Sequence, residues 1–207
     1  MKRHIFFSKA SMALTFCVFV YSLISPVYFF VGENSISNIA FGRLPGIDLK
    51  FAAPDRLAIV TFFSLLILFF FTHAFYEKRP ARRVFSTLSC AYCAVYLAVI
   101  VLVGMNGLVV FNFPIISIPL WAVLSSKFFV LLPAAYFLIM FFDKTVSSYV
   151  RGSALFHAVS LILFAVIKVF ELIFPVSLRM VVFDISTTLY LISLAMVTFF
   201  MYRKYYD

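Results

Sequence analysis

Six apolar runs, separated by short polar turns, restrict the fold of this chain more than any other feature. A helix needs about 20 apolar residues to cross the hydrocarbon core of a bilayer. Each run reaches that length, and together they cover about residues 11–31, 57–76, 85–104, 118–142, 153–174 and 178–202. The pattern predicts an all-α, polytopic integral membrane protein, in which residues 1–207 form a single domain of six transmembrane helices.

The composition also favours a membrane location. Apolar residues make up 65% of the chain and charged residues 12%, and the mean hydropathy is +1.10. Soluble domains average about 45–50% apolar and about 25% charged residues. Phenylalanine alone contributes 29 residues, more than the core of a soluble protein of this size could hide. We therefore expect a multi-pass protein of the cell (inner) membrane without a separate soluble domain.

The basic residues predict the orientation of the helices. The net charge is +9, and eleven Lys and Arg residues lie in the amino end, the turns 77–83 and 143–151, and the carboxyl end. The opposite loops hold Arg43, Lys50, Arg56 and Arg179. Because cytoplasmic loops are enriched in Lys and Arg, both termini should be cytoplasmic and the loop 32–56 should lie outside. Contact with the lipid bilayer and its anionic headgroups accounts for the positive charge, so we expect no nucleic-acid partner.

Two segments between the runs have a less regular pattern. Turn formers and apolar residues alternate in the outer loop 32–56, which predicts an ordered cap on the membrane surface. The segment 105–117 is apolar but is interrupted by Gly107 and Pro114. It either re-enters the membrane or lies along the interface, since irregular backbone at membrane depth must be satisfied by protein or water.

The last two runs contain ionisable residues, which are costly in hydrocarbon and usually pair or face a wet cavity. Residues eleven apart fall on one helix face, so the fifth run carries a polar stripe. Its members are His157, Ser160, Lys168 and Glu171. Lys168 and Asp184 lie at similar distances from the turn at Pro175, so they can pair across the hairpin. Either these charges line a path for a solute or protons, or they neutralise one another near the outer interface, with Lys168 reaching the surface along its stem.

Lys127 raises the same question in the fourth run. It lies about nine residues into the run, which is about 13 Å from its start at 1.5 Å per residue. Either it faces the bundle and binds an anionic group or Asp184, or the fourth helix begins later and leaves Lys127 near the surface. We predict a ligand or ion pathway from these residues: Lys127, Lys168, Glu171, Asp184, His157 and Ser160.

Cys90 and Cys93 form a C-x-x-C motif in the third run. A redox pair of this kind would need to face the oxidising side of the membrane, whereas the charge count places it near the cytoplasm. The pattern therefore favours packing of small side chains between helices. No spacing typical of metal ligands, nucleotide binding or nucleophilic catalysis accompanies His73 or His157. We expect no cofactor, no metal and no catalytic residue.

The sequence favours two functional classes. In the first, the protein binds or translocates a small solute or protons through a polar site between the fourth, fifth and sixth helices. In the second, it is a membrane-embedded sensing or scaffolding module that acts through a partner. In either case we expect a homo-oligomer or an assembly with other membrane or cytoplasmic subunits, because no soluble output domain is evident. An intramembrane enzyme is third, since two acids and a lysine could do acid–base work but no nucleophile or metal site accompanies them.

Overall fold

Six helices make up the part of the chain that the structure describes. This computed structural model describes residues 2–31, 53–106, 129–170 and 176–206, and it describes side chains for residues 9–24, 60–98, 129–167 and 185–204. The helices are α1 (Lys2–Val31), α2 (Ala53–Tyr76), α3 (Pro80–Asn106), α4 (Leu131–Phe142), α5 (Ser148–Phe170) and α6 (Val176–Tyr206). No strand occurs in these ranges. The prediction of an all-α fold with six helices is confirmed for them.

The helices do not coincide with the apolar runs from which they were predicted. α1 and α6 continue well into the basic flanks, because helical backbone does not stop where the hydrophobic pattern does. α4 covers the second half of the run 118–142, and residues 118–128 lie outside the described residues. The predicted outer loop 32–56 and the segment 105–117 also lie outside them, except where α2 and α3 include their ends.

Two helical segments in the described ranges are long and apolar enough to cross a membrane. They are Ser148–Ile167 and Ile185–Lys204. Shorter apolar helical segments occupy Lys9–Ile24, Val60–Tyr76 and Leu131–Phe142. Length and composition alone support a membrane location only weakly, because buried helices of soluble proteins share these properties.

The six helices form a closed ring. Each helix packs against its neighbours in sequence, and α6 also packs against α1. Phe16 contacts Tyr202 and Phe19 contacts Phe199, which shows that α1 and α6 are antiparallel. The turns after α2 and α4, the beginning of α1 and the end of α6 therefore lie at one end of the ring. We call it the basic end, because its described segments carry most of the Lys and Arg residues.

Buried residues recur at alternating intervals of three and four along the helices. The buried face of α1 is formed by Ser11, Thr15, Val18 and Ser22, and that of α6 by Leu191, Leu194, Thr198 and Met201. This spacing is typical of helices that cross at about 20°. Small side chains on these faces allow neighbouring backbones to approach closely, as in membrane helix bundles.

The interior of the ring contains both polar and apolar side chains, whereas large apolar side chains are also exposed on its outside. The buried polar residues of the helices are Ser11, Thr15, Ser22, Thr72, His73, Ser86, Ser89, Ser153, His157, Ser160, Ser186, Thr187, Ser193 and Thr198. All six helices expose large apolar residues, among them Leu23, Leu68, Val95, Phe142, Val159 and Ile192. Apolar patches of this extent mark surfaces that contact a membrane or another protein.

Candidate functional site

Five aromatic side chains meet in the centre of the ring. Phe62 and Phe70 come from α2, Phe137 from α4, His157 from α5 and Tyr190 from α6. Their ring centroids contact one another in series, with separations of 6.4 Å (Phe70–Phe137), 4.6 Å (Phe137–His157), 5.4 Å (His157–Tyr190) and 6.4 Å (Tyr190–Phe62). We call this group the aromatic plug. It joins four of the six helices, and its members Phe62, Phe70, Phe137 and His157 are buried.

His157 is the polar member of the plug. Its Nδ1 lies 2.8 Å from the hydroxyl oxygen of Ser193, which itself donates to the carbonyl oxygen of Tyr190 at 2.9 Å. A serine hydroxyl has one hydrogen, so Nδ1–H of His157 must be the donor in the first of these bonds. In the neutral imidazole with this tautomer, Nε2 is the nitrogen that can accept a hydrogen bond or a proton.

His73 on α2 has the same tautomer. Its Nδ1 lies 2.7 Å from the carbonyl oxygen of Phe69, which can only accept, so Nδ1 carries the hydrogen. Its Nε2 lies 3.5 Å from the hydroxyl oxygen of Ser11 on α1. His73 thus links α1 to α2 near the basic end, a role that its sequence spacing did not indicate.

Most buried hydroxyl groups are satisfied by a carbonyl oxygen of their own helix. This holds for Thr15, Thr72, Ser89, Ser153, Ser160, Ser193 and Thr198. The hydroxyls of Ser22 and Thr187 are as deeply buried, but no residue in the described ranges forms a hydrogen bond with them. Since a buried hydroxyl without a partner costs about 1–3 kcal/mol, each exception needs an explanation.

The direction of α6 gives the position of Thr187 relative to the aromatic plug. It lies seven residues before Leu194 and eleven before Thr198, and all three are buried, so they share the face of α6 that points into the ring. α6 runs towards the basic end, so Thr187 lies one helical turn beyond Tyr190 on the other side of the aromatic plug. Position 184 lies a further turn away along the same helix.

Ion pairs join the two turns at the basic end. Arg82 Nη2 lies 2.7 Å from Glu77 Oε1 and 3.2 Å from Asp143 Oδ2, and Arg79 Nη2 lies 2.9 Å from Asp143 Oδ1. The side chain of Asp143 is 1% exposed and those of Arg82 and Glu77 are 13% exposed, whereas that of Arg79 is 49% exposed. We call these four residues, with Thr145, the clamp.

Each acidic residue of the clamp also shapes its own turn. Glu77 Oε1 accepts hydrogen bonds from the backbone N–H groups of Lys78 and Arg79, at 3.1 and 3.3 Å. Asp143 Oδ1 accepts from the backbone N–H and the hydroxyl of Thr145, at 2.9 and 2.6 Å. Side-chain bonds of this kind to the following backbone are typical of tight turns. The carboxylates therefore fix the turn and hold the arginines at the same time.

The environment of Asp143 favours its charged form. Burial by itself would raise the pKa of this carboxyl group. The two hydrogen bonds from Thr145 and the positive charges of Arg82 and Arg79 act in the other direction, and the net effect is a pKa below the ordinary value of 3.8. Asp143 is therefore an anion at neutral pH.

The predicted pathway residues are only partly within the described side chains. His157 and Ser160 lie on the buried face of α5, and the hydroxyl of Ser160 donates to the carbonyl oxygen of Phe156 at 2.9 Å. Lys127 and Glu171 lie outside the described residues. Lys168 and Asp184 belong to α5 and α6, but their side chains are outside the described set. Their pairing stays a prediction.

The two cysteines of the C-x-x-C motif are free thiols on α3. Cys90 donates a hydrogen bond to the carbonyl oxygen of Ile67 on α2, with a separation of 3.5 Å, and Cys93 belongs to the buried core. Within the described ranges, no three His, Cys, Asp or Glu side chains come together as metal ligands.

Sequence reasoning missed the clamp. The signal was present, because the turns 77–83 and 143–151 each contain one acidic residue among several basic ones. The turns were read only for the sign of their charge, which predicts orientation but not contacts. Comparison of the chain with protein-family models, with curated proteins and with solved structures found no match.

Proposed function

We propose that this chain is a multi-pass integral membrane protein, with six membrane-spanning helices and both termini in the cytoplasm, that binds or translocates a small polar solute or protons. The apolar outer surface of all six helices supports the membrane location. The eleven basic residues at one end support the orientation. In a bacterial cell this would be the inner membrane, with the basic end facing the cytoplasm.

The proposed site lies between α4, α5 and α6, beyond the aromatic plug as seen from the basic end. The observation that carries it is the buried hydroxyl of Thr187, which has no hydrogen-bond partner among the described residues. A solute or water molecule at this position would supply the missing bond. In the proposal, His157 and Ser160 lie on the plug side of the site, and Lys127, Lys168, Glu171 and Asp184 continue it away from the basic end.

Thr187→Val tests this proposal directly. We expect the variant to be as stable as the wild type, because it removes an unsatisfied polar group and nearly keeps the shape. It should lose the thermal stabilisation that a bound solute gives, which is about 2.7 kcal/mol at a concentration of about 100 times Kd. The measurement is the thermal unfolding of the protein in lipid nanodiscs, recorded with and without each candidate solute. The candidates are amino acids, sugars, nucleosides and organic acids. Proton flux into pyranine-loaded proteoliposomes tests the proton alternative.

Two matched variants serve as controls. Thr198→Val removes a hydroxyl from the same face of α6, but that hydroxyl already bonds to the carbonyl oxygen of Leu194 at 2.6 Å. It should therefore leave the solute response or the proton flux unchanged. Thr187→Ser should retain them, because it keeps the hydroxyl. A Thr187→Val protein that responds like the wild type would contradict the proposal.

A sensing or scaffolding module is the second candidate. The aromatic plug favours it, because side chains that contact one another across four helices can pass a movement of one helix to the next and would obstruct a solute. This function requires a partner at the basic end, where Lys78, Lys144 and Lys204 are exposed. Purification in mild detergent distinguishes the two candidates. A partner retained in fixed stoichiometry, together with no response to any solute or to a proton gradient, would select the second.

A further inference from the structure

The clamp holds together parts of the ring that the backbone does not connect at the basic end. There, α2 is joined to α3 and α4 to α5 by the two short turns. α3 runs away from this end, so its continuation towards α4 leaves from the opposite end. Among the described residues, the two hairpins meet at the basic end through side chains. Asp143 and its two arginines are the charged part of that contact.

The clamp lies at the foot of a continuous buried face. Arg82, Ser86, Ser89 and Cys93 follow one another at intervals of four, three and four residues, so they share one side of α3. Ser86 donates a hydrogen bond to the carbonyl oxygen of Phe70 at 2.8 Å. Phe70 in turn contacts Tyr136 and Phe137 of α4, with ring centroids at 5.7 and 6.4 Å. Separation of the two hairpins would therefore part Phe70 from Phe137 and open the plug.

The composition of the clamp suits a contact that forms and releases. Purely apolar packing would hold the hairpins at least as well, because burying charged groups is costly. When an apolar contact opens, apolar surface is exposed to water, which is unfavourable. When an ionic contact such as the clamp opens, its charged groups are hydrated instead. Arg79 is already half exposed, and it lies beside Asp143 on the water side.

We propose that the clamp is a latch that closes the basic end of the ring, and that its release opens a water path through the plug to His157. The inference rests on the proposed function in one respect, namely that a solute or proton that reaches Thr187 leaves by this end. Latch opening can be measured without knowing the solute.

The experiment uses a cysteine on the buried face of α3, above the clamp, as a reporter of water access. Cys17→Ser and Cys90→Ser leave Cys93 as the single thiol, and Ser89→Cys in a cysteine-free chain places a second reporter one turn closer to the clamp. The probe is a sulfonated maleimide, applied to the full chain in lipid nanodiscs at neutral pH. We expect Arg82→Ala and Asp143→Asn to raise the labelling rate of both reporters at least about tenfold, because a nearly buried pair has lost one partner.

Matched controls separate release of the latch from other effects. Lys78→Ala and Lys144→Ala remove one exposed positive charge from the same two turns, so they should label at the wild-type rate. Thr15→Cys in the cysteine-free chain reports the buried face of α1 on the other side of the ring, and it should stay slow in every variant. Arg82→Lys supplies the test if Arg82→Ala does not insert, because one ammonium group replaces the two-way guanidinium contact.

Two results would overturn the latch. The first is unchanged labelling of Cys93 and of the Ser89→Cys reporter in folded Arg82 and Asp143 variants. The second is equally fast labelling of the Thr15→Cys reporter, which would mean general loosening. Neither result bears on Thr187, and a failed Thr187→Val test leaves the labelling result standing, so failure of the latch and failure of the proposed function can be distinguished.

Discussion

Asp143 receives hydrogen bonds or ion pairs from Thr145, Arg79 and Arg82 although its side chain is almost completely buried. This combination makes it the single residue on which the basic end depends most. A buried carboxylate is stable only while its partners are present, and removal of one partner from a buried pair costs about 3–5 kcal/mol. The same logic applies to Arg82, which serves two carboxylates with one nitrogen.

The lowered pKa of Asp143 predicts acid sensitivity. A carboxyl group with a folded-state pKa below its ordinary value contributes stability above that value, and the contribution is lost as pH falls through the folded-state pKa. Stability of the wild type should therefore decline as the pH drops below about 4. Asp143→Asn should be less stable by about 3 kcal/mol at neutral pH, and its decline should be shallower. Unfolding by SDS in mixed micelles, measured from pH 3 to pH 7, checks both expectations.

Thr145→Val provides the matched variant for this experiment. It keeps the carboxylate but removes the hydroxyl that donates to Asp143 Oδ1 at 2.6 Å. The pKa of Asp143 should rise towards its ordinary value, so the acid-dependent loss of stability should be smaller than in the wild type and complete at a higher pH. A decline of equal size in all three proteins would assign the acid sensitivity to other carboxyl groups.

At this scale the sequence predicts candidates better than contacts. His157 and Ser160 were identified from helical spacing because residues on one face of a helix share an environment. The bond from His157 to Ser193 could not be predicted, because it depends on how far α5 and α6 slide along each other. Thr187 has no distinguishing sequence signal. Its hydroxyl differs from that of Thr198 only in its partner, which the three-dimensional structure alone reveals.

At the scale of the helix, α5 shows how small residues determine packing. Ala154 and Ala158 have no exposed surface, and Leu161 follows on the same face. Val159, the residue after Ala158, points outward and is 52% exposed. Two adjacent positions of α5 therefore have different environments: Ala158 faces the buried interior and Val159 faces the outside.

Ala158→Leu should destabilise the bundle by about 1–3 kcal/mol, because three additional heavy atoms must fit into a filled interior. Val159→Leu, a change of one methylene at the adjacent position, should stay within about 0.5 kcal/mol of the wild type. The same SDS titration measures both variants. Equal effects of the two substitutions would mean that α5 is rotated relative to its described orientation.

Helix existence was predictable from hydrophobicity, whereas helix ends were not. A run of apolar residues identifies the part of a helix that avoids water, but the backbone hydrogen bonds continue into polar flanks. α1 therefore begins at Lys2 and α6 continues to Tyr206, beyond the predicted runs. Pro80 marks the beginning of α3, where the missing N–H of a proline is tolerated.

At the scale of the whole molecule, the orientation is the property that charge alone predicts. Lys144 lies exposed in the turn between α4 and α5. With Lys144→Cys as the single thiol, a membrane-impermeant maleimide should label the protein in inverted membrane vesicles but not in intact cells. Detergent-permeabilised cells, in which both sides are accessible, are the control. Labelling in intact cells would reverse the predicted orientation and place the basic end outside.

The contact between α1 and α6 has a consequence for biosynthesis. The ribosome completes α1 long before α6. During this time the face of α1 with Ser11, Thr15 and Ser22 can pack against α2 but not yet against α6. Its hydroxyls are mostly satisfied within α1 or by α2 in the meantime, as Thr15 and Ser11 show. The partly synthesised bundle is therefore an open arrangement of helices that the membrane can accommodate, and insertion of α6 closes the ring.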